Sequence, residues 1–507
     1  MKKFVLLLTL ALSFLGLAAC DVDLSGDPIS DGGGNGDTPP AENGKIKISY
    51  YKGGTGSAWI EAIASEFTKD TGIAVELDGD NSITVNARTQ LQAGRNLSDI
   101  MFVQYTNWRE YVQQGWIAQM DDLYNGTFNA TYGNYTVSSS YNIEQTESGI
   151  FTSNGKTSGV TLYDMLVSDF RDYGYMAKTA NDEKHFWVMP WSSPCVSFAY
   201  NVDILKEAGW NNPPKTEAEL KQCVQDVQAL KDSSGKQKYV AFSWGGTEMK
   251  YWDFITLTWW AQYDGVETQH AFYGFESPEV FKQQGRIEAL KLWQELIVDP
   301  NDGSWINSID KPMGRDHLNA EQQFAKGLAA FTITGTWLEN EIKDVIPEGF
   351  NCKMMAVPMI DGAKATKNVL NTEAGSFACI PSGNSADQIQ KAKAFLAYMN
   401  QPKFIEKYTE VSGALRPFNY KPSQISGISN FSKSVFELYE TCDRMWRYSE
   451  SAIFTYANVS EWPYYGSTSL YGNLSGSQLK TPEFVCNYMY EYAKKNWNTW
   501  KKTAGEA

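Results

Sequence analysis

Residues 189–220 read MPWSSPCVSFAYNVDILKEAGWNNPPKTEAEL. Pro190 and Trp191 open the stretch as an aromatic-bearing loop, and Val196, Phe198 and Tyr200 continue it as an apolar run of strand character. A short helical pattern over 203–209 follows, then a Pro213-Pro214 turn, then a second helix. Thr216 and Glu219 give that helix a capping box, in which each side chain satisfies an orphan amide at the helix start. Strand, helix and capped helix in close succession predict an α/β architecture.

The flanking sequence repeats the pattern. Residues 45–50 alternate polar and apolar side chains, as a strand does. A glycine-rich loop, YKGGTGS, comes next, and then a helix from Ala58 with Ile60, Ile63 and Phe67 on one face. The loop is not a dinucleotide fingerprint, because Trp59 stands where a third glycine belongs, and no Gly-Lys-Ser/Thr follows. Residues 99–103, DIMFV, predict a buried parallel strand, with a loop over 104–108 at its end. Ligands of open α/β sheets bind beyond the carboxyl ends of strands, which is where Gln104, Asn107 and Trp108 would stand. Residues 239–242 read as a strand, followed by Trp252, Asp253 and an aromatic helix to Tyr263. Residues 285–299 form an amphipathic helix, and 322–337, QQFAKGLAAFTITGTW, read as helix end, buried strand and a turn at Gly335 that projects Trp337. Strands are expected over 354–358 and 372–380, and a helix over 386–399. The tail over 431–500 reads as helical and aromatic, interrupted by Trp462-Pro463-Tyr464-Tyr465, which could also reach a ligand site. Residues 124–180, rich in Asn, Gly, Ser, Thr and Tyr, are the least legible part.

In order and spacing these segments resemble the bacterial extracellular solute-binding proteins of family 1, the maltose-binding-like components of sugar importers. The matching pieces are PWSSPCVSFAYN with DILKEAG and PKTEAEL, then FTKDTGIAVEL, LQAGRNLSDI with GWIAQMDDL, FAKGLAAFTITGTW, AFLAYM and SGALRP. Together they span about 45–120 and 185–420. The resemblance implies a two-lobed periplasmic-binding-protein fold of type II, with the hinge crossed three times and a cleft between the lobes. It implies a first lobe of 45–192 with 359–413 and a second of 193–358 with 414–507. It further implies a carbohydrate ligand, expected to be an oligosaccharide, delivered to the permease subunits of an ABC importer, with no cofactor and a monomeric chain. Sugars offer apolar C–H faces and a rim of hydroxyls, so aromatic platforms and polar groups are needed. The candidate platforms are Trp191, Trp252 and Trp337, the last at a position where the family uses tryptophan. The polar candidates are Gln104, Asn107, Asp253 and Glu373, with Gly54 in the loop that contacts sugar. Trp108 is read equally as ligand contact or as packing. Position 194, a carboxylate in maltose-binding relatives, is Pro194 here, which sets maltose itself aside.

The chain begins with Met1-Lys2-Lys3, an apolar run to Leu17, and Leu17-Ala18-Ala19-Cys20. The run is shorter than the ~20 residues of a membrane span and has the anatomy of an export signal. The terminal LAAC resembles a bacterial lipobox, which implies removal of residues 1–19 and acylation of Cys20, hence an extracytoplasmic chain anchored by lipid. Residues 20–44, nearly devoid of apolar side chains, are expected to be a disordered tether.

A net charge of −15 excludes a phosphate-reading surface and adsorption to anionic lipid, both of which need clustered Lys and Arg. The aromatic content, 14% with 17 Trp and 28 Tyr, suits a protein that stacks on flat ligand faces as well as one with a large core. His185, His270 and His317 are too scattered to predict a multi-histidine metal site, and no G-x-S-x-G marks a nucleophile. The six cysteines after Cys20 are even in number but lack C-x-x-C, so disulfides and buried free thiols both remain open. Two other functions stay in view: a surface glycoside hydrolase, which needs two carboxyls roughly 5–10 Å apart, and a carbohydrate-binding adhesin without a transporter.

Overall fold

The computed structural model describes residues 43–95, 97–104, 106–143, 149, 155–179, 181–273, 276–309, 315–373, 376–447, 464, 466–477 and 479–503. The expected signal peptide, Cys20, most of the tether, and Trp462, Pro463 and Tyr465 lie outside the described residues.

Two sheets organise the chain. The first has five strands in the order Met189–Pro190, Ser376–Cys379, Ile100–Gln104, Lys45–Tyr50, Ala74–Gly79. Lys45–Tyr50 pairs in parallel with both of its neighbours, while Ser376–Cys379 runs antiparallel to Ile100–Gln104. Ile100–Gln104 is buried along its whole length, as its unbroken apolar run predicts for a strand covered on both faces. The helix Ala58–Thr71 lays Trp59, Ile60, Ile63 and Phe67 into this core, each contributing roughly 1.5–3 kcal/mol of apolar burial.

The second sheet has six strands. Val240–Ser243, Ala329–Gly335, Cys195–Asn201, Val369–Glu373 and Asp443–Arg447 follow one another, and Cys352–Met355 pairs antiparallel with Cys195–Asn201. The helices Lys250–Asp264 and Gln284–Ile297 cover it with Trp252, Trp259, Trp260 and Trp293, all buried. The capping box forms as expected: Glu219 N donates to Thr216 Oγ1 at 3.2 Å, and Thr216 N donates to Glu219 Oε2 at 3.3 Å.

Two readings of the sequence need correction. Val369–Glu373 pairs with Cys195–Asn201 and Asp443–Arg447 in the second sheet, so the return to the first lobe falls between residues 373 and 376, not at 359. The tail also contributes that edge strand, Asp443–Arg447, where only helices were expected. Its helix Asn430–Thr441 buries Phe431, Val435, Phe436 and Tyr439 in the core that begins in the first lobe, which runs on behind the second sheet to Cys352 and Met354. The least legible segment contains an antiparallel hairpin, Asn129–Tyr132 with Tyr135–Ser138.

The three crossings are stitched to each other. Trp191 N donates to Ser376 O at 3.3 Å and Ser193 N to Leu415 O at 2.9 Å, while Tyr408 Oη donates to Ser192 Oγ at 3.0 Å. All six described cysteines are free, and five are buried. Burial pushes the thiols of Cys223, Cys352 and Cys379 up to about 12, so these behave as small core hydrophobes.

Candidate functional site

A cavity of about 260 Å³ opens between the two sheets. The first lobe and the neck supply Tyr51, Gly54, Thr55, Gln104, Ser192 and Pro194. The second lobe supplies Tyr251, Phe254 and Trp337 as aromatic faces, with Glu248, Lys250, His317, Thr336 and Glu341 as polar groups. Several of these residues stand at or just past the carboxyl end of a strand. Tyr51 and Gly54 follow Lys45–Tyr50, Gln104 ends Ile100–Gln104, and Thr336 and Trp337 follow Ala329–Gly335. Open α/β sheets hold their ligands at such positions, where backbone groups and helix starts converge.

The glycine before Trp337 is required by close approach. A β-carbon on Gly335 would run into the Trp337 ring and would lie 2.7 Å from Cys195 O. With only hydrogen there, the indole folds back over the strand end and its residue becomes the N-cap of the helix Leu338–Ile342. Glu341 lies one turn further on, facing the same opening.

Behind the aromatic wall lies an acidic network. His317, the first residue of the helix His317–Ala325, donates its backbone N–H to Glu248 Oε2 at 2.8 Å, and its Nδ1 bonds to the same carboxylate. Its Nε2 lies 3.6 Å from Glu341 Oε2. The imidazole stacks on Tyr251, with centroids 5.5 Å apart and planes 15° apart, and Tyr251 meets Trp337 edge-on at 6.4 Å. Burial opposes a charge on His317, but Glu341 and Glu248 outweigh it and raise its pKa above the ordinary value. Glu321, fully buried, accepts from Thr334 Oγ1 at 2.5 Å, and burial followed by the charge of Glu341 holds its pKa well above the usual carboxylate range. Among the described residues, no group of three or more His, Cys, Asp or Glu is disposed to hold a metal ion.

The structure brings together three of the residues expected from sequence, Gly54, Gln104 and Trp337. Trp191 is fully buried in the first core, stacked on Trp59 at 5.3 Å with planes 18° apart. Trp252 is equally buried among Phe198, Phe242, Trp244 and Trp293. Trp108 packs on Tyr173, and Asn107 heads its helix, Trp108–Gln113, away from the cavity lining. Asp253 accepts from Ser467 Oγ and from Tyr471 Oη at 2.9 Å, which turns it toward the tail. Glu373 ends the strand Val369–Glu373, and its side chain lies outside what is described. Tyr464 packs against Tyr488 and Phe484 on the last helix. Tyr251, Glu248, His317, Glu321 and Glu341 were missed. The only local signal for them was the placing of Glu321 and Glu341 on either side of the FAKGLAAFTITGTW segment.

A two-lobed α/β body with its polar and aromatic groups gathered in the interlobe cleft defines a solute receptor. Residues 62–430 match the bacterial extracellular solute-binding protein family, and the chain belongs to it. None of the curated proteins matches the chain in sequence at a significant level. Among solved structures, a chitin oligosaccharide binding protein matches with a TM-score of 0.61 at 14% identity, over 89% of this chain and 98% of its own. The apo form of RafE from Streptococcus pneumoniae matches with a TM-score of 0.59 at 16% identity, over 90% and 98%. A probable secreted solute-binding lipoprotein from Streptomyces coelicolor matches with a TM-score of 0.60 at 15% identity, over 90% and 100%. At such identities the likeness is one of fold.

Proposed function

We propose that this protein captures a saccharide in the interlobe cavity and hands it to the permease of an ABC importer. One observation carries the reading: Trp337 and Tyr251 form an aromatic corner in a cleft whose polar lining includes Gln104, Glu248, Lys250, His317 and Glu341. Flat apolar faces beside carboxylates and amides complement a sugar ring, which is apolar above and below and hydroxylated at its rim. RafE has also been solved with raffinose bound, and its fold is similar to this one at a TM-score of 0.58 and 15% identity. The cavity, at about 260 Å³, lies at the lower edge of the ~300–1,000 Å³ usual for ligand sites. A short saccharide would suit so small a cavity, and a longer oligosaccharide would project from the open side.

The reading extends to the anchor. Acylation at Cys20 would hold the receptor at the outer face of the membrane, with residues 21–44 as a tether that gives it reach to the permease. Capture without turnover is the expected chemistry. The two carboxyls that line the cleft, Glu248 and Glu341, are both engaged by His317, whose Nδ1 bonds to Glu248 and whose Nε2 lies 3.6 Å from Glu341.

A thermal-shift screen of mono- to tetrasaccharides tests the proposal, followed by calorimetry on each hit. A ligand at a hundred times its dissociation constant stabilises the folded state by ~2.7 kcal/mol, which such a screen resolves. If no saccharide shifts the melting curve, the saccharide reading fails. If labelled oligosaccharides are cleaved on incubation, the protein is a hydrolase.

A further inference from the structure

We propose that Glu321, which does not line the cleft, is a positioning residue of the site: as a neutral acid it donates a hydrogen bond to Glu341 and so locks Glu341 and Trp337 into one rigid wall. Three geometric observations converge on this arrangement. Glu321 is fully buried, and one of its oxygens already accepts from Thr334 Oγ1. Its other oxygen, Oε2, is unpartnered, as are the buried Oε2 of Glu341 and the indole Nε1 of Trp337. Glu341 and the Trp337 indole both act on Glu321 as side chains within hydrogen-bonding reach.

Glu321 cannot readily be charged beside a second carboxylate, because, fully buried, it would lack both solvation and a counter-charge. One proton held between them satisfies both orphan oxygens. The surrounding charges decide which carboxyl keeps it. Glu341 faces the opening and has His317 Nε2 at 3.6 Å, a counter-charge that Glu321 lacks. Glu321 is surrounded by Thr334, Tyr251, Trp337 and Glu341, with no cation among them, so it remains the acid. His317 is held by Glu248 on its other side, and Lys250, on the rim, lies 3.9 Å from Glu248. The result is a chain from Thr334 through Glu321 and Glu341 to His317 and Glu248. It fixes the orientation of Glu341, which shares the opening with Trp337.

The consequence for saccharide capture rests on the function proposed above, but the test needs no ligand. In the full folded chain at pH 8, the infrared carbonyl band of a protonated carboxyl should be present in the wild type and absent from Glu321→Gln. Melting curves should show Glu321→Gln gaining on the wild type as pH rises from 5 to 9, because only the wild type must keep a proton that the unfolded chain would release. With 5-fluorotryptophan incorporated and the Trp337 resonance assigned by Trp337→Phe, Glu321→Ala should shift or broaden that resonance, while Glu321→Gln leaves it in place. A merely structural role would move the melting temperature alone. A carboxyl band that survives in Glu321→Gln, a pH-independent difference in melting, or an unmoved Trp337 resonance in Glu321→Ala would each overturn the inference. None of these outcomes bears on whether a saccharide binds.

Discussion

Gly54 of the first lobe and Trp337 of the second meet with no room for a methyl group between them. A β-carbon built on Gly54 would collide with the Trp337 Cβ and would lie 3.1 Å from its Cγ and 3.2 Å from Glu341 Oε1. The backbone there does not demand glycine; the facing lobe does. Gly54→Ala is therefore expected to wedge the cleft open. Overpacking of this kind costs about 1–3 kcal/mol in a rigid site, and opening the lobes relieves it. Small-angle scattering on the unliganded variant should give a larger radius of gyration than the wild type. An identical radius would mean that the loop simply yields.

The same contact has a polar half. Asn340 Nδ2 donates to Gly54 O at 2.9 Å and to Ser412 O at 2.8 Å, tying the short helix of the second lobe to the first lobe and to the third crossing. Asn340→Ala removes both bonds, each worth about 0.5–1.5 kcal/mol net. The expected loss of stability is about 1–3 kcal/mol in urea unfolding. A change below a few tenths would show that water replaces the amide at both carbonyls.

Aromatic substitutions should separate site from core. Trp337→Ala removes a cavity wall and should weaken any saccharide found by the screen at least tenfold, with a modest fall in melting temperature. Trp191→Ala and Trp252→Ala instead leave holes where fully buried indoles stood. Each should cost about 3–5 kcal/mol of folding stability. Chemical unfolding measures the latter and calorimetry the former. A stable Trp191→Ala protein that has lost its ligand would return Trp191 to the site.

His317 makes stability depend on pH in a definite direction. Its folded pKa is raised by Glu341 and Glu248, against the opposing effect of burial. Its contribution is therefore complete below the unfolded value of about 6.5 and is lost as pH rises through the raised folded value. Between pH 6 and pH 9 the wild type should lose more melting temperature than His317→Gln. Equal losses would show that the imidazole stays neutral throughout.

Much of the fold was legible because its signals are local. The strand Cys195–Asn201, the capping box at Thr216 and the buried run Ile100–Gln104 are each set by neighbouring residues, and each forms where its pattern lies. The strand Asp443–Arg447 was not legible, because what makes it a strand is an edge presented by Val369–Glu373, some seventy residues earlier. The site divides in the same way. Trp337 could be found because a glycine and a strand end announce it. Trp191 and Trp252 carry the same aromatic character, but tertiary packing turns them inward. The network of Glu248, His317, Glu321 and Glu341 is assembled from a turn and two helices. No spacing in a chain with 59 acidic residues singles those four out.

The order of strands in the first sheet bears on when the chain can fold. Ser376–Cys379 sits inside that sheet, between Met189–Pro190 and Ile100–Gln104. Until residue 379 is in place, the three strands nearest the amino terminus have a bare inner edge, and Met189–Pro190 has no strand to pair with. A chain made amino terminus first therefore cannot complete its leading lobe until its last quarter is being added. The leading lobe is thus closed by one of the later strands of the chain, and its folding waits on the second lobe that lies between them in sequence.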